Sequence, residues 1–264
     1  FIIELGDFCF AKEANVPFRD LWDKFPGDKY HVLGNHDMDI CTKEEYMEFV
    51  GMKSRYYSFD KGDFHFIVLD PNNLFVDGKY IPYKNGNFYV DTSQREHLDP
   101  EQVEWLKKDL ASTDKRCILF SHECFENTVQ NRELVRGILE AENERCGFKK
   151  VIAAFSGHDH TNYTKEINGI TYIQINSASN QWVGEKYACP ERFSEEINKQ
   201  KPSLKYTVPY KDSLYAIVTL DLKSLKMKGR ESSFIPPTPT DIGIPDTMYP
   251  FPLVPWIKDF DLKF

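Results

Sequence analysis

Four short apolar runs, each closed by a cluster of glycine, carboxylate, amide or imidazole groups, constrain this chain more than any other feature. Phe1–Leu5 ends in Gly6-Asp7, and Tyr30–Leu33 ends in Gly34-Asn35-His36-Asp37. Cys117–Phe120 ends in Ser121-His122, and Val151–Phe155 ends in Gly157-His158-Asp159-His160. Short apolar runs bounded by turn formers read as buried strands. Helical patterns lie between them. Phe18, Leu21, Trp22 and Phe25 share one face, as do Val103, Leu106 and Leu110, and then Leu134, Val135, Ile138 and Leu139. Two helix starts have a chemical reason. Thr42-Lys43-Glu44-Glu45 fits a capping box, and Asp99-Pro100-Glu101-Gln102 places a cap residue before a first-turn proline. Strands alternating with helices predict an α/β fold, in which sites form where strand ends meet loops.

The rest of the chain adds hairpins and long connections. Lys61-Gly62 separates Tyr56–Phe59 from Phe64–Leu69, Asn168-Gly169 separates two further runs, and 214–222 with 225–228 reads as a late hairpin. Pro71 to His97 and residues 180–210 read as irregular. From Glu231 onward the chain holds seven of its 15 prolines, with Phe234, Tyr249, Phe251, Trp256 and Phe260. That tail is expected to lack regular structure and to pack along a surface through its aromatics. With 264 residues, 41% of them hydrophobic, the chain can bury one large core. A net charge of -8 with no Lys/Arg block argues against electrostatic capture of a nucleic-acid polymer or an anionic membrane face. No apolar run approaches the ~20 residues of a membrane helix. The six cysteines include no CxxC pair, so neither a zinc ribbon nor a disulfide scaffold is expected.

Taken singly, the clusters say little. Gly-Asp after a strand is an ordinary turn, a lone His122 is an ordinary core histidine, and Gly-Asn-His-Asp serves as an Asx-capped turn. Gly-His-Asp-His is more specific, because two imidazoles at i and i+2 in a tight loop can address two metal ions. Jointly and in this order, the clusters point to one convergent site.

The order Gly-Asp, Gly-Asn-His-Asp, strand-then-His, Gly-His-x-His resembles the calcineurin-like metallophosphoesterases over residues 1–180. The resemblance implies a four-layer α/β-β/α sandwich, with two mixed β-sheets flanked by helices. It implies two divalent transition metal ions (Mn, Fe, Zn, Ni or Co), with Asp7 bridging them. Asn35, His122 and His158 would complete one shell, and His160 would bind the other ion. His36 would stand near the leaving group as proton donor, with Asp37 orienting it. The family's Asp-x-His motif normally precedes Gly6 and is not in this chain, which opens inside a strand at Phe1. The first strand is therefore expected to be missing and the second metal site incomplete. Phe10 stands where purple acid phosphatases carry a tyrosine ligand, so a charge-transfer iron centre is not expected.

The resemblance divides the chain into a catalytic domain over 1–230 and an extension over 231–264. It implies hydrolysis of a small phosphorylated substrate by a hydroxide bridging the ions. Residues 56–70, the helix 100–110 and the hairpin ending Lys226–Arg230 look similar to the ADP-ribose/CDP-alcohol diphosphatase branch. Cyclic-nucleotide phosphodiesterases share the core. Phosphodiester or diphosphate substrates are therefore expected. The alternatives are a phosphomonoesterase on the same site and an inactive metal-binding or scaffold domain. Phe75, Tyr80, Tyr83 and Trp182 either stack a planar group or pin long loops. Arg95 and His97 either contact phosphate or line a solvated helix approach. Substrate-binding residues, oligomeric state and compartment stay open.

Overall fold

The structure, a computed structural model, describes residues 1–245 and 251–264; Tyr249 of the tail lies outside the described residues. Two compact units divide the chain. One comprises Phe1–His158 and Thr164–Ile173, the other Asp159–Tyr163 and Gln174–Phe264.

The first unit runs β1 (Ile2–Glu4), α1 (Val16–Asp23), β2 (Lys29–His31), α2 (Lys43–Val50), β3 (Tyr57–Lys61) and β4 (Phe64–Val68). Next come β5 (Asn73–Val76), β6 (Lys79–Pro82), α3 (Pro100–Ala111), β7 (Arg116–Phe120), α4 (Arg132–Cys146) and β8 (Val151–Ser156). The hairpin β9 (Tyr163–Ile167) and β10 (Ile170–Gln174) follows, turning on Asn168 and Gly169 at positive φ. Six strands form one mixed sheet in the order β3-β4-β7-β8-β10-β9. β3 is antiparallel to β4, whereas β4, β7 and β8 are parallel. Parallel neighbours need long crossovers, and α3 and α4 lie in those connections. Val103, Leu106 and Leu110 of α3 and Val135 and Leu139 of α4 are buried with Ile67, Leu119 and Val151 of the sheet.

The two helix starts read from the sequence form as expected. The Thr42 hydroxyl accepts from Glu45 N at 3.2 Å while the Glu45 carboxylate accepts from Thr42 N at 2.8 Å. Asp99 accepts from Gln102 N at 3.1 Å. Parallel pairing then decides where the clusters go. β7 and β8 leave the sheet at the same edge, where Ser121 N donates to Phe155 O and Gly157 N to His122 O. β1 and β2 are also parallel, with Glu4 opposite His31, so Gly6-Asp7 and Gly34–Asp37 emerge side by side.

One expectation for this unit needs correction. The stretch 71–97 is not wholly irregular, because β5 and β6 pair through a turn at Asp77-Gly78. Asp-Gly is itself a hairpin signal, hidden here among neighbouring Asn and Gly residues. On α1, Phe18 is 50% and Leu21 61% exposed. With Ile2, Phe8, Trp22 and Phe25 they line an open apolar groove.

In the second unit, β11 (Asn180–Trp182) pairs antiparallel with β12 (Thr207–Pro209), and α5 (Glu195–Gln200) lies between them in sequence. The late hairpin forms as β13 (Ala216–Asp221) and β14 (Ser224–Gly229). The expectation that the tail has no regular structure fails at its end. Phe260–Lys263 forms β15, antiparallel to β14 with Leu262 opposite Leu225. Past Pro255 the chain has no proline, so every N–H can donate along that edge. Phe234 packs on the buried cluster of Val183, Val208 and Ile244, and Phe251 stacks on Tyr163 at 3.8 Å. None of the six cysteines forms a disulfide. No helix among the described residues is long and apolar enough to cross a membrane.

Candidate metal centre

Close backbone approach makes the site possible. Gly6 has φ +94°, and a Cβ there would lie 2.4 Å from His122 Nδ1 and 2.7 Å from Gly34 Cα. A Cβ on Gly34 would lie 2.3 Å from both Asp7 N and Asp7 Oδ1. Only glycine lets the first two clusters interlock. Asp7 itself sits at φ 58° and His158 at φ 59°. Non-glycine residues held in that region cost on the order of 1–3 kcal/mol each and concentrate at functional sites.

Asp7 Oδ1 accepts from His36 N at 2.9 Å, and its Oδ2 lies 3.2 Å from His122 Nε2. His122 is 2% exposed, and its Nδ1 pairs with the Leu5 carbonyl at 2.6 Å. Nδ1 must therefore carry a proton and donate it, which turns Nε2 towards Asp7. Nε2 is buried and forms no aligned hydrogen bond. Only a proton or a cation between the two groups makes that approach favourable. Burial opposes charging the ring, but the Asp7 carboxylate prevails and pushes His122 up to about 10. Burial likewise works to raise Asp7, and His122 overrides it, holding the carboxyl well below its usual range. The His158 ring stands at right angles to His122 with centroids 5.1 Å apart. Its Nδ1 lies 3.2 Å from the Asn35 amide oxygen.

His36 shows where local geometry overrules the reading of the motif. Its orienting carboxylate is Asp39, not Asp37: His36 Nδ1 lies 3.0 Å from Asp39 Oδ2. Residues Asn35–Met38 form a 3₁₀ turn, in which residues i and i+3 eclipse. Asp39 therefore shares the His36 face and Asp37 turns away from it. Asp37 is fully buried and accepts from Gly34 N at 2.8 Å, Asp7 N at 3.2 Å and Phe8 N at 3.1 Å. It clamps the first two clusters together. Burial, with Asp7 and Glu4 nearby, raises its carboxyl well above the usual range. Tyr89 hydroxyl donates to Asp39 Oδ1 at 2.9 Å, which makes a chain Tyr89–Asp39–His36. Burial works against a charged His36, but the bond to Asp39 and the Asp7 charge raise its pKa.

Asp7, Asn35, His36, Asp37, His122 and His158 thus come together in the first unit. His160, at φ 51°, belongs to the second. Tyr83 cannot stack a ligand, because it is 1% exposed, stacks on Phe88 and accepts from Glu96 N. Phe75, Tyr80 and His97 contact one another, and Arg95 donates to the Val90 carbonyl. These groups hold the loop. Trp182 lies in the second unit against Tyr206. Sequence reasoning missed Asp39, Tyr89 and Glu123. The i+3 spacing from His36 is the signal that finds Asp39. Glu123 is fully buried, and neither carboxylate oxygen has a hydrogen-bond partner. Burial pushes its carboxyl up to about 8 although His122 pulls it down.

A carboxylate, an amide oxygen and two imidazoles, with one buried ring nitrogen lacking a partner, form a mixed N/O donor set suited to a first-row divalent cation. Comparisons with known proteins agree with that chemistry. A family model described as calcineurin-like phosphoesterase matches residues 1–162. A manganese-dependent ADP-ribose/CDP-alcohol diphosphatase of Arabidopsis thaliana is 23% identical over 219 residues, covering 67% of this chain and 70% of that protein. Purple acid phosphatase 23 of the same plant is 24% identical over 200 residues, covering 64% of this chain and 39% of that protein. A solved dimetal phosphatase from Danio rerio has the same fold, with TM-score 0.56 and 17% identity over 88% of this chain and 82% of that one. The match over residues 1–162, more than half of its length, makes this chain a member of the calcineurin-like phosphoesterase family of metal-dependent phosphoester hydrolases.

Proposed function

We propose that this chain hydrolyses phosphodiester or diphosphate bonds in small nucleotide-like substrates, with Asp7, Asn35, His122 and His158 holding one divalent ion. His160 enters this reading as a ligand of a second ion on the motif alone. A divalent ion held by these residues would supply positive charge to phosphoryl oxygens and lower the pKa of a bound water. The observation that carries the reading is the approach of His122 Nε2 to Asp7 Oδ2 at 3.2 Å with no aligned hydrogen bond. His36 is the only one of the clustered imidazoles with substantial exposure, its side chain being 48% accessible. It is placed to give a proton to the leaving oxygen. Asp39 holds Nδ1, which turns Nε2 outward to do so. Asp37 does not touch the reacting groups in this reading; it keeps the Gly6 and Gly34 loops interlocked.

The diphosphatase similarity favours a substrate with two linked phosphates. The test is turnover by the Mn²⁺-loaded chain of bis-p-nitrophenyl phosphate and ADP-ribose against p-nitrophenyl phosphate. His36→Ala should lower kcat by about 10²–10⁴-fold while bound Mn²⁺, measured by elemental analysis, stays at the wild-type level. Equal loss of metal and turnover overturns the role of His36. Preference for p-nitrophenyl phosphate makes the chain a monoesterase, a reading that the similarity to purple acid phosphatase 23 supports. A metal-loaded chain inert towards all three would be a scaffold.

A further inference from the structure

Glu123 has no place in the family motif, yet among the described residues it is the one carboxylate whose buried oxygens lack a hydrogen-bond partner. Its side chain is fully buried and both oxygens lack a hydrogen-bond partner. A buried polar group in that condition costs several kcal/mol unless something compensates it. The compensation available is a cation. One Glu123 oxygen and one ring nitrogen each of His122 and His158 lie within 4.8 Å of one another. Consecutive residues of a strand point to opposite sides, so neighbours such as His122 and Glu123 would ordinarily diverge. They converge because β7 ends at Phe120 and the Ser121 hydroxyl donates to the Glu123 carbonyl at 2.7 Å, folding the chain back.

We infer that Glu123 is an additional carboxylate ligand of the cation held by His122 and His158. The inference rests on the metal-centre reading above. Charge supports it: Asp7 is the only anionic donor the motif contributes beside two imidazoles and an amide, which leaves a dication half neutralised. A second carboxylate balances it. Ligand charge count is a main determinant of divalent-cation affinity.

The test is calorimetric titration of the full chain with Mn²⁺, alongside thermal unfolding without metal. Glu123→Gln keeps the shape and removes the charge. It should weaken Mn²⁺ binding at least about tenfold, while the metal-free melting temperature stays constant or rises, because no hydrogen bond of the carboxyl is there to be lost. A purely structural carboxylate would give the opposite pattern, a lower metal-free melting temperature with unchanged affinity, and that overturns the inference. Glu123→Asp, which withdraws the carboxylate by one methylene, should fall between wild type and Glu123→Gln; wild-type affinity in either variant also overturns it. His122→Ala separates the two readings. If His122→Ala abolishes binding and Glu123→Gln does not weaken it, only the role of Glu123 fails. If the wild-type chain binds no Mn²⁺, the metal-centre reading fails and takes this one with it.

Discussion

Lys43→Met should be among the most damaging single substitutions remote from the proposed metal site. Lys43 opens α2 directly after the loop that carries Asn35 and His36, and its side chain is 2% exposed. Its Nζ donates to Asp70 Oδ2 at 2.5 Å, and Asp70 is fully buried. Burial draws the Lys43 ammonium below its ordinary pKa, with Asp70 offsetting only part of the cost. Such a pair stabilises little as a unit, but breaking it leaves a buried charge and costs about 3–5 kcal/mol. Arg55 Nη1, 3.4 Å from the same Asp70 oxygen, and the bond from Asn72 N at 3.1 Å place the loss near the lower bound, about 3 kcal/mol. At roughly 2–4 °C per kcal/mol for a domain of this size, the melting temperature should fall by about 6–12 °C. The loss should reach the site as well, because Asn72 donates to the Leu33 carbonyl at 2.8 Å, just before Gly34. Differential scanning calorimetry of the metal-free chain measures it. Lys43→Met/Asp70→Asn removes both charges and should recover most of the loss. A single variant within about 2 °C of wild type, or a double variant no better than the single, would refute the reasoning.

Other outcomes follow from the same geometry. Gly34→Ala should displace Asp7, since the new methyl would sit 2.3 Å from its backbone and carboxylate; Mn²⁺ binding should be lost, with an overpacking cost of about 1–3 kcal/mol, read by titration and urea unfolding. Asp39→Asn should lower kcat with Mn²⁺ content unchanged, because it frees the His36 ring. Tyr89→Phe should do the same more weakly, acting one bond further out. His65 sits between Asp60 and Asp109, with its ring nitrogens 2.7 and 2.8 Å from their carboxylates. Burial opposes charging it, but the two carboxylates raise its pKa above 6.5. The stabilisation from protonated His65 is therefore complete below about pH 6.5 and lost as pH rises through the higher folded value. Urea unfolding from pH 5.5 upward should show that decline in the wild type and a flatter profile in His65→Phe.

The distribution of what was legible follows physical range. The strands that end in the four clusters, the two capped helix starts and the Lys61-Gly62 and Asn168-Gly169 hairpins depend on neighbours within a few residues, so the sequence alone carried them. It also carried the α/β class, because alternating strands and helices leave few ways to bury their faces. The tertiary structure decided matters that depend on direction or on distant pairing. Asp39 replaced Asp37 as partner of His36 because the loop winds as a 3₁₀ turn, a pitch that no residue type in it announces. Glu123 joined His122 because the chain bends after Phe120. Phe260–Lys263 became a strand because β14 offered an edge far away in sequence. The clusters were visible as isolated turns, but parallel pairing of β1 with β2 and of β7 with β8 set Asp7 beside Asn35 and His122 beside His158. The pairing of β7 with β8 is won by long-range burial of their sheet against α3 and α4, which no local pattern contains.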